Sequence, residues 1–180
     1  PQKLEASGEE IQVDTLPFCH LHTHTQFSVL QSTISIPKLV KEATSMNMPA
    51  VAITDIGNLM GAFHFIKAVN KHNKSHEESA GNPIKPIIGI TLNVCANHLD
   101  RSHRDDGFQI VLIAKNKNGY HNLAKLTSIA HTKGFYYVPR VDRELVLNHK
   151  KDIIVLTGNL YGEVPYKVLN TGAQQAVDSL

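Results

Sequence analysis

Short apolar runs of strand length alternate along this chain with longer helical patterns, and this alternation limits the possible fold more than any other feature. The runs predict strands at 18–22, 50–54, 84–94, 109–114 and 153–157, with helices beginning near Ser35, Asn58 and Lys117. Such alternation favours parallel β/α units. A closed (β/α) barrel usually needs about 200–250 residues. The 180 residues therefore predict an α/β fold, an incomplete TIM-like (β/α) barrel with mainly parallel strands and outer helices.

Composition and charge exclude several classes of protein. A hydrophobic content of 42% suffices for a packed core, and no apolar run approaches the length of a membrane-spanning helix. The net charge of +2 gives no strong electrostatic signal for nucleic acid. Cys19 and Cys95 are far apart and show no zinc-type spacing. With no signal peptide visible, the cytosol is the expected compartment, and no membrane partner is expected.

The two ends of the chain differ from its middle. Residues 1–16 are polar and without a sustained period, which predicts a linker. The helical pattern that begins at Thr171 stops at Leu180. We therefore expect a segment of a longer polypeptide, with a linker at 1–16 and a domain at 17–180 whose C-terminal units are missing.

Three of the eleven histidines, His20, His22 and His24, occur within five residues. If this segment is a strand, alternation places all three side chains on one face. Imidazole is the commonest side-chain ligand for transition metals, so neighbouring histidines on one face could share a cation. The alternative is a polar strand edge with hydrogen-bonded histidines.

Polar residues follow the predicted strands, where functional groups of barrel folds collect. His22 and His24 end the first strand, Asp55 ends the second, Thr91 follows the first part of the third at 84–90, and Thr157 ends the fifth. Asp55 precedes Ile-Gly-Asn and would equally suit a turn. The pattern therefore indicates a candidate site of His22, His24 and Asp55, with a turn-only role for Asp55 left open.

The chain also resembles a known family. Residues 22–28 (HTHTQFS) fit the HxHxxxS first motif of the polymerase and histidinol phosphatase (PHP) domain. Further segments resemble the branch found in bacterial DNA polymerase III alpha subunits, and the resemblance covers roughly residues 17–170. Those segments are MPAVAITD at 48–55, GNLMGA at 57–62, IKPIIG at 84–89, LIAKN at 112–116, GYHNL at 119–123, GFYY at 134–137, PR at 139–140 and GEVP at 162–165.

The resemblance implies a metal-dependent phosphoesterase ancestry. His22 and His24 match the first ligand pair of the family, and Asp55 matches the acidic residue of its second motif. Four other positions depart from the ligand pattern of active relatives. Where those relatives have Asp, His, Glu and His, this chain has Gln31, Ile56, Thr91 and Gln109, in that order.

These departures decide what the site is expected to hold. Catalytic zinc needs about three protein ligands and an open position. His22, His24 and Asp55 could hold one zinc or manganese ion weakly, and a full metal cluster is not expected. The resemblance thus implies a structural or accessory domain of a DNA polymerase involved in DNA replication. Its expected partners are the other domains of the alpha subunit, a proofreading exonuclease, and DNA through the parent protein. The alternative is a self-standing metal-dependent phosphoesterase of the PHP family.

Two further groups of residues have both a purely structural and a functional interpretation. A basic set could be a solvated face or a contact for phosphates. An aromatic run could belong to the core or form a stacking surface for single strands. The basic set is Lys115, Lys117, Lys125, Lys133 and Arg140, and the aromatic run is 135–137.

Overall fold

The computed structural model describes residues 17–77 and 83–177, and the predicted linker at 1–16 lies outside the described residues. Six helices and five strands are present in these ranges. In chain order they are α1 (Ile36–Ser45), β1 (Ala50–Ile53), α2 (Gly61–Glu77), β2 (Lys85–Cys95), β3 (Phe108–Ala114), α3 (Lys117–Thr132), β4 (Arg140–Asp142), α4 (Arg143–Asn148), β5 (Ile153–Leu156), α5 (Glu163–Asn170) and α6 (Ala173–Val177).

The long strand β2 organises a mixed sheet. Its first half pairs in parallel with β1, and its last three residues pair in parallel with β4. Its other edge pairs with β3, which is antiparallel and in turn pairs antiparallel with β5. Four strands, β1, β2, β4 and β5, therefore run in one direction, and β3 runs against them. The fold is a mixed α/β architecture.

The prediction of a parallel fourth strand is wrong. Residues 96–107, which connect β2 to β3, contain no helix and form a loop. A parallel partner is usually reached through a crossover helix, and this loop has none, so the strand that follows it returns antiparallel. As a result the start of β3 lies at the same end of the sheet as the end of β2, with Asn93 opposite Gln109.

The predicted first strand at 18–22 is not a regular strand. The segment instead bends at 21–22 and runs beside β1, where Ala52 N donates to His20 O at 2.9 Å and Thr54 N to Thr23 O at 2.8 Å. Thr23 N donates to the Thr54 hydroxyl at 2.9 Å, so a side chain takes a position that a backbone ladder would fill. The histidine segment is thus fixed to β1 without continuing the sheet.

Two apolar clusters cover the sheet. The first joins α1, α2 and β1, and the second joins α3 to β2, β3 and β4. The helical pattern after Asn58 predicts a buried side of Met60, Phe63, Ile66, Ala68 and Val69, and this prediction is wrong in part, because Met60 and Phe63 are 66% and 72% exposed. Val69 is buried as predicted, and Phe65, which was not part of the predicted face, is buried as well. Apolar residues occupy two adjacent faces of this helix, and its periodicity alone does not say which of them packs.

Arg140 of the predicted basic surface is fully buried. Its guanidinium donates to the carbonyl oxygens of Gly134 at 3.1 Å, Asp105 at 2.8 Å and Asp100 at 2.8 Å. Arg140 therefore ties the loop at 96–107 to the start of β4, and it belongs to the interior. In the part of the chain that the structure describes, no helix combines the length and apolarity needed to span a membrane.

Candidate functional site

His22 and His24 meet at the end of β1. Their Nε2 atoms lie 3.1 Å apart, and their rings pack edge to face with centroids 4.9 Å apart. Both side chains are half-buried. His20 does not join them, since its ring is exposed and packs against Phe18. The segment thus brings two of its three histidines together.

The hydroxyl of Thr91 completes this group. Thr91 Oγ1 lies 3.3 Å from His22 Nε2 and 3.4 Å from His24 Nε2. The same hydroxyl donates to the carbonyl of Thr54 at 2.9 Å, and Thr91 is fully buried. Because its proton is directed to that carbonyl, the oxygen can accept from an imidazole N–H. A neutral hydroxyl therefore fills the space beside both histidines.

Asp55 is buried, with 2% exposure, and its carboxylate is bound by the loop that follows the histidines. Oδ1 accepts from Thr25 N at 2.6 Å and from the Ser28 hydroxyl at 2.7 Å, and Oδ2 accepts from the Thr25 hydroxyl at 2.8 Å. A Cβ atom placed on Gly61 would lie 3.0 Å from Oδ2. Asp55 thus joins the 25–28 loop to the end of β1, and most of its acceptor capacity is used there.

Burial favours the neutral form of both imidazoles. Burial lowers the pKa of His22, and repulsion from His24 lowers it further. Burial also lowers the pKa of His24, although the Asp55 carboxylate opposes this shift. Neutral imidazoles are the form that binds metals.

The residues present fit one shared cation better than a cluster. Two nitrogens bonded to one zinc at about 2.0–2.1 Å would be about 3.3 Å apart in a tetrahedral site, close to the 3.1 Å found between the histidines. In residues 17–77 and 83–177, however, no three His, Cys, Asp or Glu side chains are arranged to hold a metal ion. The prediction that His22, His24 and Asp55 together hold one ion stays a prediction.

The structure also places three other positions that the sequence singled out. Gln31 is exposed, Ile56 forms a backbone bridge with Thr91, and Thr157 is exposed after β5. Sequence reasoning missed the role of Thr25, for which there was no signal. It also missed the role of Ser28, although Ser28 ends the HxHxxxS motif.

Residues 20–180 match the model of the PHP domain family, and the chain belongs to this family. Its relatives include DNA polymerase III subunits alpha. The subunit of Chlamydia trachomatis is 40% identical over 84% of this chain, that of Treponema pallidum 38% over 89%, and that of Thermus aquaticus 40% over 86%. The chain spans only 12–13% of the length of these relatives.

Solved structures with a similar arrangement are distant. An amidohydrolase from Chromobacterium violaceum, with bound sulfate and no metal, is 12% identical with a TM-score of 0.36 over 62% of this chain and 33% of its own. A candidate metal-dependent phosphoesterase from Bifidobacterium adolescentis is 16% identical with a TM-score of 0.35, over 89% of this chain and 52% of its own.

Proposed function

We propose that this chain is the PHP domain of a DNA polymerase III alpha subunit and acts there as a structural domain. The similarity to alpha subunits supports the first part. One observation carries the second part, namely that the Thr91 hydroxyl lies against both histidine Nε2 atoms where a metal ligand would be needed. A neutral hydroxyl that donates to a backbone carbonyl supplies no charge to hold a cation.

In this role the polar residues join three parts of the fold. Asp55 binds the 25–28 loop, and Thr91 links β2 to the carbonyl of Thr54. The backbone continues this junction, with Gly57 N donating to Thr91 O at 2.8 Å. Hydrogen bonds replace the linkage that shared metals would provide, and one zinc or manganese ion binds weakly at most.

An assay of phosphoester hydrolysis tests the structural role. The protein should not hydrolyse p-nitrophenyl phosphate above the rate of a His22→Ala/His24→Ala variant, with either zinc or manganese. Metal-dependent turnover that disappears in this variant would overturn the proposal. Sequencing the gene beyond Leu180 tests the first part, since it should continue into polymerase domains.

The proposed partners are the other domains of the alpha subunit, a proofreading exonuclease, and DNA bound through the parent protein. Exposed apolar side chains after β5 support the proposal that a partner covers this surface. These side chains are Leu160, Tyr161, Val168 and Leu169. The proposal puts the chain in the cytosol, where free thiols such as those of Cys19 and Cys95 persist.

A second candidate is a metal-dependent phosphoesterase. The convergence of His22 and His24 favours it, because two neutral imidazoles 3.1 Å apart are ready to share a cation. Such an ion would supply a Lewis acid and an activated water. The hydrolysis assay separates the two candidates, because turnover that requires both histidines is expected only for the second.

A further inference from the structure

The surface of α3 carries charges of one sign. Between Gly107 and Val141 the sequence has no Asp or Glu, although it contains five Lys or Arg residues. Arg140 is buried, but Lys115, Lys117, Lys125 and Lys133 are exposed. Surfaces of soluble domains usually mix both signs, so a stretch without acidic residues is an unusual feature that the proposed function does not use.

An open groove lies between α3 and the turn that connects α4 to β5. Its volume is about 770 Å³. Helix α3 contributes His121, Lys125 and Ser128, and the turn contributes His149 and Lys151. Among the groove-lining residues in the described part of the chain, Asp152 is the one carboxylate. Cations and polar donors thus converge from two elements on the same space.

The two walls of the groove are held together by backbone contacts. The side chain of Asn122 donates to Lys151 O at 2.9 Å, and Lys115 N donates to Asp152 O at 2.9 Å. A Cβ atom on Gly119 would lie only 2.1 Å from Asp152 O, so the turn packs directly against the helix backbone. Asp152 itself has a φ of 61°, a left-handed value uncommon outside glycine. The turn is therefore fixed, and Lys151 is carried close to α3.

We propose that this groove binds the phosphate backbone of nucleic acid. Lysine ammonium groups and hydroxyl or amide donors are the groups that contact phosphates without reading sequence. The apolar side chains that line the groove are Ala124 and Ile129, which offer little anchoring to a peptide. The groove is open to solvent, so a polymer can pass along it. It lies where β3 ends and β5 begins, away from the histidine pair, and its binding does not depend on the proposed function.

Salt-dependent oligonucleotide binding tests this proposal on the chain itself. The measurement is fluorescence anisotropy of a labelled oligothymidylate of about 20 nucleotides over a salt series. The test variant is Lys125→Gln/Lys151→Gln. The matched control is Lys67→Gln/Lys71→Gln, which removes the same charge from exposed positions of α2. Each phosphate contact on a single strand contributes about 0.7 to the slope of log affinity against log salt. The slope should therefore fall by about 1.4 in the test variant and stay unchanged in the control.

Two further variants sharpen the result. Lys125→Arg/Lys151→Arg should keep the slope, because both charges remain. Asp152→Asn should tighten binding, because it removes the groove carboxylate and asparagine tolerates a left-handed backbone. Circular dichroism establishes that each variant is folded.

Three outcomes would overturn the proposal. Equal decreases of the salt slope in the Lys125→Gln/Lys151→Gln variant and in the control would indicate an effect of overall charge and no specific binding in the groove. No binding by the unaltered chain at about 50 mM salt, where phosphate contacts are strong, would also contradict it. Displacement of the oligonucleotide by polyglutamate at an equal concentration of charge would assign the groove to acidic peptides instead.

Discussion

The Ser28 hydroxyl donates a 2.7 Å hydrogen bond to Oδ1 of Asp55. It also accepts a 3.0 Å bond from the backbone N of Ile56, so one side chain bonds both the carboxylate and the residue after it. The last serine of the HxHxxxS motif therefore holds the strand end in this chain. A substitution at Asp55 therefore measures how much the junction between the 25–28 loop and the end of β1 contributes to stability.

Asp55→Asn should lower the free energy of unfolding by about 2–3 kcal/mol, since an amide offers one acceptor oxygen to donors that now bind a buried carboxylate. Urea unfolding measures this. Asp106→Asn is the matched control, because its partner Arg104 is exposed and such pairs contribute little. A loss for Asp55→Asn no larger than that of the control would contradict the structural role of this carboxylate.

Thr91→Asp should raise the affinity for zinc by about tenfold or more, because a carboxylate would then join two imidazoles as the third ligand that zinc sites usually have. Isothermal titration calorimetry measures the change. Thr91→Val removes the hydroxyl without adding a ligand and serves as the control. Equal zinc affinity in the Asp and Val variants would show that the Thr91 position does not face a shared cation.

Stability should decrease as the pH falls below about 6.5. The folded state lowers the pKa of His22 and His24 from the usual 6.5, so the unfolded chain takes up protons first. The stability that the two neutral histidines contribute is therefore complete above pH 6.5, and it is lost as the pH falls through their lowered pKa values in the folded state. Urea unfolding between pH 7.5 and 5 measures the slope of the unfolding free energy against pH. The His22→Gln/His24→Gln variant should have a smaller slope. An unchanged slope would assign the acid sensitivity to other groups.

Arg140→Met should loosen the loop at 96–107, because three carbonyl oxygens lose their buried donor. We expect a loss of about 3 kcal/mol in unfolding free energy and faster tryptic cleavage after Arg101 and Arg104. Mass spectrometry of timed digests locates the cuts. Arg143→Met, at an exposed position, is the control. Cleavage rates equal to those of the control would mean that the loop is held by other contacts.

The isolated chain should self-associate through the apolar surface after β5. Leu160 and Leu169 are 78% and 76% exposed, and apolar patches of this kind favour association. Light scattering should show a mean mass that rises with concentration, and Leu160→Lys/Leu169→Lys should suppress the rise. Val29→Lys/Leu30→Lys, at exposed positions directly after the 25–28 loop, is the matched control. Equal suppression by both variants would mean that this surface has no special role.

The sequence predicted local elements better than it predicted how they are arranged. The apolar run at β1 and the pattern of α3 identified these elements closely, because burial on both faces or on one helical stripe leaves a direct pattern. The direction of β3 was missed, although the lack of a helical pattern between Cys95 and Phe108 already indicated a hairpin. The exposed face of α2 could not be predicted, because two adjacent faces are apolar.

The candidate site was predicted through its histidines and Asp55, whereas the hydrogen bonds of its hydroxyls were not predicted. His22 and His24 have a distinctive spacing, whereas Thr25, Ser28 and Thr91 are residue types found on any surface. Their roles arise from tertiary contacts, since Thr91 is 67 residues from His24 in the chain. Local sequence holds no signal for a hydrogen bond of this kind.

The antiparallel pairing of β2 with β3 also affects the order in which the sheet assembles. Residues 96–107 close the β2–β3 hairpin, whereas residues 54–84 must be closed to bring β1 beside β2. The cost of closing a flexible loop grows with the logarithm of its length, so the hairpin loop costs about 0.8 kcal/mol less. The hairpin should therefore form first, and β1 should add to it later with the histidine segment at its side. A cation that needs the histidine segment in place beside β1 would then bind after the β2–β3 hairpin has formed, and it would stabilise the later addition of β1.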